Sequence, residues 1–442
     1  MVDKNPKLVD VEKPNLYRQI FPYTEFPKVI FDNQRVEYDI PDKIWITDTT
    51  FRDGQQARPP YTPEQILRIY DLFHEIDGGT GLIRQCEFFL YSERDRKAVE
   101  LCKERGYEFP EITGWIRAVP ADFKLVSQMG LSETGILTSA SDYHIFLKLR
   151  KTRAQAMDGY LEVIKAALDN GVIPRCHFED ITRADYEGFV LPFAAELMKL
   201  AEEYNKPVKI RLCDTLGFGL PWSAVSLPRS VPKLIYGLRQ IGIPSEWLEW
   251  HGHNDLHKVQ VNAATAWLYG CSAANAAIFG IGERTGNPPL EALVIEHAQL
   301  KGMAEGVNYS AITELAEYAG KELGFEIPGN YPLVGKDFNV TRAGIHADGL
   351  LKNKEIYNCF DTRKLLNRPV SVAMTDKTGA AGIKHWIEAK YEIEIPKHDL
   401  RITKIKDRID AEYSANRVSA ISDKEMFEWV REAFGGNLPP LR

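Results

Sequence analysis

Two histidines spaced one residue apart, in Trp250-His251-Gly252-His253-Asn254-Asp255, are the clearest candidates for chemistry in this chain. Residues i and i+2 of a β-strand face the same side, so the two imidazoles point together, and the glycine between them removes bulk. Two imidazoles in this arrangement suit a divalent metal ion. A histidine pair alone often has only a structural role, so the prediction of a metal site depends on further ligands nearby.

Arg52 and Asp53 form a second candidate pair, within Asp48-Thr49-Thr50-Phe51-Arg52-Asp53-Gly54-Gln55-Gln56. The Asp53 carboxylate can be a metal ligand, and the Arg52 guanidinium can face negative charge that develops during a reaction. The alternative is a plain salt bridge between them. Further along, Asn287 in the segment G-E-R-T-G-N can offer an amide oxygen as another ligand, although a turn that needs glycine would also explain this segment.

Two more motifs carry polar side chains directly after apolar runs. Glu179, in His177-Phe178-Glu179-Asp180-Ile181-Thr182-Arg183, offers a carboxylate for proton transfer or for orienting water. Thr215, in Cys213-Asp214-Thr215-Leu216-Gly217, can hold a substrate carboxylate through its hydroxyl and amide. Each motif can also be a helix cap, because Asp and Thr start helices well.

The elements that must position these residues alternate along the chain. Short apolar runs predict eight β-strands: Ile44–Asp48, Leu82–Phe88, Glu111–Trp115, Glu133–Leu137, Pro174–Phe178, Val208–Leu212, Leu248–His253 and Ala274–Phe279. Amphipathic stretches between them predict helices, including Pro63–Ile76, which Thr62 caps, and Tyr160–Asn170. This alternation over about 250 residues predicts a closed (β/α)8 TIM barrel, whose chemistry lies at the C-terminal ends of the strands. A doubly wound open sheet is the alternative, but no G-x-G-x-x-G follows any strand.

We predict four segments along the chain. Residues 1–40 form an N-terminal extension, which we expect to pack on a partner subunit, and residues 41–302 form the catalytic TIM barrel. Residues 303–394 form small, mainly helical linker subdomains, with one amphipathic helix over Asn308–Leu323. Residues 395–442 form a C-terminal tail with helical stretches.

Composition excludes several classes of protein. Lys and Arg number 55 against 62 Asp and Glu, a net charge of −7, which argues against a nucleic-acid binder with a basic face. No run of about 18 apolar residues exists, so we predict no membrane span, and the polar start of the chain predicts no signal peptide. The six cysteines lack C-x-x-C spacing, which predicts reduced thiols in a cytoplasmic protein rather than a zinc site.

The motifs D-T-T-F-R-D-G-Q-Q, F-E-D-I-T-R, D-T-L-G, H-G-H-N-D and G-E-R-T-G-N follow one another over residues 44–300. In this order they resemble the α-isopropylmalate synthase/homocitrate synthase family of Claisen-condensing (β/α)8 enzymes. The resemblance continues through Phe338–Gly349 to about Trp386. It implies metal-dependent condensation of acetyl-CoA with a 2-oxo acid, followed by thioester hydrolysis. It also implies a domain-swapped homodimer and a divalent ion, with Mn²⁺ as first choice and Mg²⁺, Co²⁺ or Zn²⁺ left open.

The resemblance assigns a role to each matching residue. It implies that the metal ligands are Asp53, His251, His253 and Asn287. It implies that the catalytic residues are Arg52, Glu179, His346 and Tyr357. Arg52 would stabilise the enolate or alkoxide. His346 and Tyr357 would come from the linker subdomain, usually that of the neighbouring subunit. It implies that Gln56 and Thr215 bind substrate.

Three features depart from the family pattern. Gln55 replaces an acid, and the second strand reads Ile83-Arg84-Gln85-Cys86-Glu87-Phe88-Phe89 instead of I-E-V-G. We also expect no leucine-sensing regulatory domain, because residues 395–442 are too few to form one. The segments F-R-D-G-Q-Q-A-R-P-P-Y-T, R-Q-C-E-F-F-L-Y-S and S-A-S-D-Y-H-I-F most resemble the Re-type citrate synthases. These enzymes use the same fold with oxaloacetate as acceptor.

A dicarboxylate acceptor needs an extra cation in its pocket. We therefore expect Arg84, Arg175 and Arg211 on barrel strands, with His144 after the fourth strand, to bind substrate. The alternative is that these arginines pair with acids lower in the barrel.

The leading functional prediction is synthesis of citrate from oxaloacetate, with isopropylmalate and homocitrate synthesis left open. A lyase of the hydroxymethylglutaryl-CoA type would run the reverse bond cleavage, but such lyases lack the subdomain with His346. From another class, a non-catalytic homologue would bind acyl-CoA or metal, but the intact set of candidate residues argues against it.

Overall fold

The computed structural model describes residues 3–341 and 344–436, and the chain forms two compact units, Met1–Asn308 and Tyr309–Arg442. Arg342 and Ala343 of the predicted linker motif, and residues 437–442 of the predicted tail, lie outside the described residues. The barrel unit extends past the predicted boundary at residue 302. The backbone N–H of Asn308 donates to the carbonyl of Ile76, 2.9 Å away, and this bond ties the segment back to the first barrel helix.

The first unit is a closed barrel of eight parallel strands, each paired with the next in chain order and the last paired with the first. The strands are β1 (Trp45–Asp48), β2 (Ile83–Phe89), β3 (Glu111–Ile116), β4 (Glu133–Ser139), β5 (Ile173–Glu179), β6 (Lys209–Asp214), β7 (Leu248–Gly252) and β8 (Ala273–Ala276). The predicted TIM barrel is confirmed. The pairing of β1 with β8 excludes the open sheet.

Helices follow the strands around the barrel. They are α1 (Pro63–Asp77), α2 (Glu93–Lys103), α3 (Phe123–Gln128), α4 (Arg153–Asp169), α5 (Leu191–Tyr204), α6 (Val231–Gln240), α7 (Val259–Leu268) and α8 (Leu290–Lys301). Helix α1 begins with a capping box between Thr62 and Gln65. Helix α4 starts earlier than predicted, because Thr152 and Gln155 form a second capping box. Among the described residues, no helix is long and apolar enough to cross a membrane.

The N-terminal extension packs on the barrel of its own chain, and the expected packing on a partner subunit stays a prediction. The backbone N–H of Val9 donates to the carbonyl of Gly188 at 2.9 Å. Asp32 accepts a hydrogen bond from Lys233 Nζ at 2.6 Å. Phe21 is buried. Sequence periodicity could not reveal this packing, because the segment follows the barrel without regular secondary structure.

The second unit is mainly helical. Its elements are α9 (Ala311–Glu322), β9 (Val340–Thr341), α10 (Gly344–Lys352), α11 (Thr362–Leu366), β10 (Ser371–Val372), α12 (Ala380–Tyr391), α13 (Leu400–Ser414) and α14 (Asp423–Ala433). Ile405 of α13 and Trp429 of α14 belong to the same buried cluster as Trp386 of α12. The predicted separate tail from residue 395 is therefore corrected: its helices complete the core of this unit.

Charged side chains fill the interior of the barrel, where branched apolar residues are usual. The network joins four cations with four carboxylates through direct ion pairs: Arg52, Arg175, Arg211 and Lys209 with Asp53, Glu87, Glu133 and Glu249. Buried charges are tolerated when they are balanced and hydrogen-bonded. The equal numbers of the two signs meet this condition.

Candidate active site

Asp53, His251 and His253 meet at the C-terminal end of the barrel. One possible ligand atom from each lies within 4.8 Å of the others, and all three residues are buried. His251 is in β7 and His253 follows it, while Asp53 lies in a tight turn, Thr50–Gly54, after β1. The structure thus brings Asp53 together with two histidines that lie 198 and 200 positions further along the chain.

Asn287 completes this cluster. Its Nδ2 donates to Asp53 Oδ2 at 2.6 Å and to the carbonyl of Ile281 at 2.8 Å. Its Oδ1 and the Nδ1 of His253 are buried and have no hydrogen-bond partner among the described residues. Such orphaned polar atoms are costly. A divalent cation accepts this set of oxygen and imidazole ligands, so the residues present fit a metal ion.

Electrostatics keeps these groups in their metal-binding forms. Burial lowers the pKa of both His251 and His253, so both imidazoles are neutral at pH 7. Burial alone would raise the pKa of Asp53, but the Arg52 guanidinium, helped by the hydrogen bond from Asn287, outweighs it, and the pKa falls below its ordinary value. Neutral imidazole and ionised carboxylate are the states that bind metal.

Close packing shapes the cluster from the side of β8. A Cβ on Gly282 would lie 2.1 Å from Asn287 Nδ2 and 2.7 Å from Asp53 Oδ2. Only glycine leaves space for the amide and the carboxylate to touch, which explains this glycine of the G-E-R-T-G-N segment.

Arg52 joins the cluster to the barrel interior. Its Nη1 lies 3.1 Å from Asp53 Oδ1 and its Nε lies 2.8 Å from Glu87 Oε2. Its guanidinium carbon is 5.9 Å from the centre of the Trp115 ring. The sequence left two alternatives for Arg52, a salt bridge with Asp53 or a cation beside the candidate metal site. The structure shows that Arg52 is both.

Glu179 anchors a second polar group, formed with Ser139, His144 and Lys148. Its Oε2 accepts a hydrogen bond from the Ser139 hydroxyl and lies 3.0 Å from His144 Nδ1 and 3.3 Å from Lys148 Nζ. Burial would raise the pKa of Glu179, but these partners, with His144 first, hold it at about 2. An ionised carboxylate with so low a pKa is a weak base. This favours Glu179 as a group that orients others.

Thr215 and Gln56 have different surroundings. The Thr215 hydroxyl oxygen accepts a hydrogen bond from the backbone N–H of Asp180 at 2.8 Å, so it lies between the loops after β5 and β6. Gln56 is exposed. The neighbouring Gln55 donates to the carbonyl of Phe51 and accepts from the backbone N–H of Tyr61. A glutamate could not do both, which explains the amide at this departure from the family pattern.

The structure corrects the expected roles of three arginines. Arg175 and Arg211 are buried and pair with glutamates inside the barrel, at 2.9 Å for Arg175 Nη2 to Glu87 Oε1 and for Arg211 Nε to Glu249 Oε2. Arg84 stacks on Trp45 and on Phe109, near the N-terminal ends of the strands. The alternative of internal pairing was correct for two of them. Strand pairing turns Arg175 of β5 and Arg211 of β6 toward the inside of the barrel, and this places both charges in the ion network.

Besides Ser139 and Lys148, sequence reasoning missed two residues that contact Arg52 and His251. Glu87 of β2 pairs with Arg52, and Asn275 of β8 lies 2.8 Å from His251 Nδ1 through its Oδ1. For Asn275 the available signal was a polar residue in an otherwise apolar strand, whereas β2 also carries Arg84 and Gln85, so Glu87 did not stand out. Their partners are far away in the chain, so the sequence could not identify the contacts.

His346 and Tyr357 lie together in the second unit. Their ring centres are 4.4 Å apart, and both side chains are exposed. The structure therefore pairs these two predicted residues on a surface of this unit.

Comparison with known proteins agrees with the fold. The model of the HMGL-like family matches residues 43–318. The chain is 56% identical to citrate (Re)-synthase from Clostridium kluyveri, over 95% of this chain and 94% of that protein. It is 53% identical to citrate (Re)-synthase from Syntrophus aciditrophicus, over 96% of this chain and 68% of that protein. A 2-phosphinomethylmalate synthase from Streptomyces hygroscopicus is 39% identical over 96% of this chain and 97% of that protein.

Among solved structures, HMG-CoA lyase from Bacillus subtilis matches with a TM-score of 0.52 at 19% identity. The match covers 66% of this chain and 97% of that one. At this identity the likeness concerns the fold alone. The family match spans more than half of the chain and agrees with the closed barrel, and the chain therefore belongs to the HMGL-like family.

Proposed function

We propose that the protein is a citrate (Re)-synthase, an acyltransferase that condenses acetyl-CoA with oxaloacetate and hydrolyses the thioester to release citrate and CoA. The observation that carries this proposal is the 56% identity to a citrate (Re)-synthase over nearly the full length of both chains. The buried cluster of Asp53, His251 and His253 supports it, because the chemistry needs a Lewis acid beside the ketone.

Asp53, His251, His253 and Asn287 would hold the divalent ion, with Mn²⁺ as first choice. When bound, the ion polarises the ketone of the 2-oxo acid and stabilises the negative charge that forms on its oxygen. Arg52 stabilises the same developing charge. Its contacts with Asp53 and Glu87 use two of its five N–H donors and fix its direction before the substrate arrives.

Glu179 holds His144 and Lys148 in place as an ionised acceptor. With Arg175 and Arg211 used inside the barrel, Lys148 supplies positive charge for the distal carboxylate of oxaloacetate, and His144 remains a proposed substrate contact beside it. Lys148 is half exposed, so it can reach a ligand without breaking a buried pair. Thr215 and Gln56 remain proposed substrate contacts, Thr215 through its hydroxyl.

A thiol-release assay with acetyl-CoA and a panel of 2-oxo acids tests the proposal. We expect release of CoA to be fastest with oxaloacetate, to stop after chelation of divalent metal and to return when Mn²⁺ is added. Fastest release with 2-oxoisovalerate would identify an isopropylmalate synthase, and with 2-oxoglutarate a homocitrate synthase. Full activity after complete chelation would refute the metal-dependent mechanism.

We also propose a cytoplasmic homodimer in which His346 and Tyr357 serve the barrel of the partner. Mixing two inactive variants, Arg52→Ala and His346→Ala, tests this assembly. In a swapped dimer a mixed pair has one intact site, so re-associated random dimers regain about a quarter of parental activity. If each chain serves its own barrel, every site in a mixed pair keeps one defect, and no activity returns.

A further inference from the structure

Asn275 makes the hydrogen bond that decides which nitrogen of His251 carries the proton. The residue is fully buried in β8, and its Oδ1 lies 2.8 Å from His251 Nδ1. On its other side, Nδ2 lies 2.9 Å from Thr47 Oγ1 and 3.2 Å from the Thr47 carbonyl oxygen. A carbonyl oxygen can only accept, so the NH₂ group of the amide must face β1 and its oxygen must face His251.

The hydrogen bonds beyond Asn275 confirm this orientation of its amide. Glu249 forms a double contact with Arg211, at 2.9 Å and 3.0 Å. An ionised carboxylate only accepts, so the Thr47 hydroxyl, which contacts Glu249 Oε1, must be the donor. The Thr47 oxygen is then an acceptor for Asn275. All donors therefore point the same way, from His251 through Asn275 and Thr47 to Glu249.

The orientation of the amide sets the state of the imidazole. An amide oxygen can only accept, so His251 Nδ1 must carry a proton. A neutral imidazole with a proton on Nδ1 keeps its lone pair on Nε2, the nitrogen free to bind a metal ion. We propose that Asn275 is a positioning residue that holds His251 in this tautomer and thereby sets the metal affinity, with Thr47 and Glu249 fixing the direction of the amide. This inference rests on the proposed metal site.

Direct measurement of Mn²⁺ binding to the full-length, chelator-stripped protein tests the inference without any turnover. We expect Asn275→Ala to weaken Mn²⁺ binding by about 10–100-fold, the usual effect of losing an outer partner of a metal-binding histidine. Thr47→Val should cause a smaller loss, because the Thr47 carbonyl still holds the amide. Thr47→Ser keeps the hydroxyl and should bind like the parent.

Two buried residues outside the chain of bonds serve as matched controls. Asn262→Ala removes an amide that donates to the carbonyl of Gly219. Thr138→Val removes a strand hydroxyl that donates to the carbonyl of His177. Both should lower the melting temperature of the metal-free protein as Asn275→Ala and Thr47→Val do, but leave the Mn²⁺ affinity unchanged.

The possible outcomes separate this inference from the proposed function. If the parent does not bind Mn²⁺, the metal site itself is wrong. If the parent binds and Asn275→Ala binds equally well, the positioning role is wrong while the proposed function stands. Should Asn275→Ala fail to fold, the comparison of Thr47→Val with Thr47→Ser decides, and equal affinities of these two variants overturn the inference.

Discussion

Glu87 lies at the centre of the buried ion network, and Glu87→Gln is the strongest test of that network. Glu87 Oε2 accepts from Arg52 Nε at 2.8 Å and from Arg211 Nη1 at 3.0 Å, while Oε1 accepts from Arg175 Nη2 at 2.9 Å. Glutamine has the same shape but no charge, and its NH₂ group would face a guanidinium. The substitution therefore leaves one buried positive charge without a partner.

Removing one partner from a buried ion pair costs about 3–5 kcal/mol, because the other charge stays desolvated. At roughly 2–4 °C per kcal/mol, this lowers the melting temperature of the barrel unit by about 6–20 °C. Burial would raise the pKa of Glu87, but Arg211, Arg52 and Arg175 hold it well below its ordinary value. Glu87 is therefore ionised at neutral pH, and the loss should not depend on pH there.

Scanning calorimetry measures the effect, because it separates the transitions of two units. Glu111→Gln is the matched control. Glu111 accepts a hydrogen bond from Gln85 Nε2 at 2.8 Å, but it is exposed, so its loss should change the melting temperature little. Adding Arg175→Gln to Glu87→Gln restores the charge balance and should cost less than the sum of the single changes. If Glu87→Gln and the control melt within about 2 °C of each other, the network is not held together by buried charge.

Three further predictions concern single residues. Arg52→Ala should lower kcat by about 10²–10³-fold in the folded, metal-loaded protein, and it should also lower stability, because Glu87 loses one buried partner; steady-state kinetics with an unchanged kcat would refute its role. Gly282→Ala should weaken Mn²⁺ binding sharply, because its Cβ would lie 2.1 Å from Asn287 Nδ2; calorimetric titration equal to that of the parent would contradict this contact. Burial raises the pKa of Asp48 from 3.8 to about 8, so between these pH values the folded protein keeps a proton that the unfolded chain has lost. The stability of the parent therefore falls as pH rises between these values. Asp48→Asn should therefore gain stability relative to the parent in urea unfolding from pH 5 to pH 8, and a constant difference would show that Asp48 does not titrate in this range.

Local pattern was sufficient to predict the barrel and most of the cluster at its mouth. Strands and helices follow from hydrophobic periodicity and caps, which depend on neighbours in the chain. The barrel places the ends of its strands together, so His251, His253 and Asp53 could be predicted to meet without knowledge of any contact. The extended geometry that turns residues i and i+2 to one side was enough for the histidine pair.

Contacts between distant strands were decided only by the tertiary structure. The register of the closed barrel turns Arg175 and Arg211 toward Glu87 and Glu249, and so the arginines expected to bind substrate belong to the interior. Whether a polar side chain in a strand binds a ligand or a neighbour depends on which residues face it across the barrel. The partners of Glu87 lie 35 to 124 positions away in the chain. Local propensity carries no information at that separation, because the energy of a buried charge depends on partners that folding brings within about 3 Å.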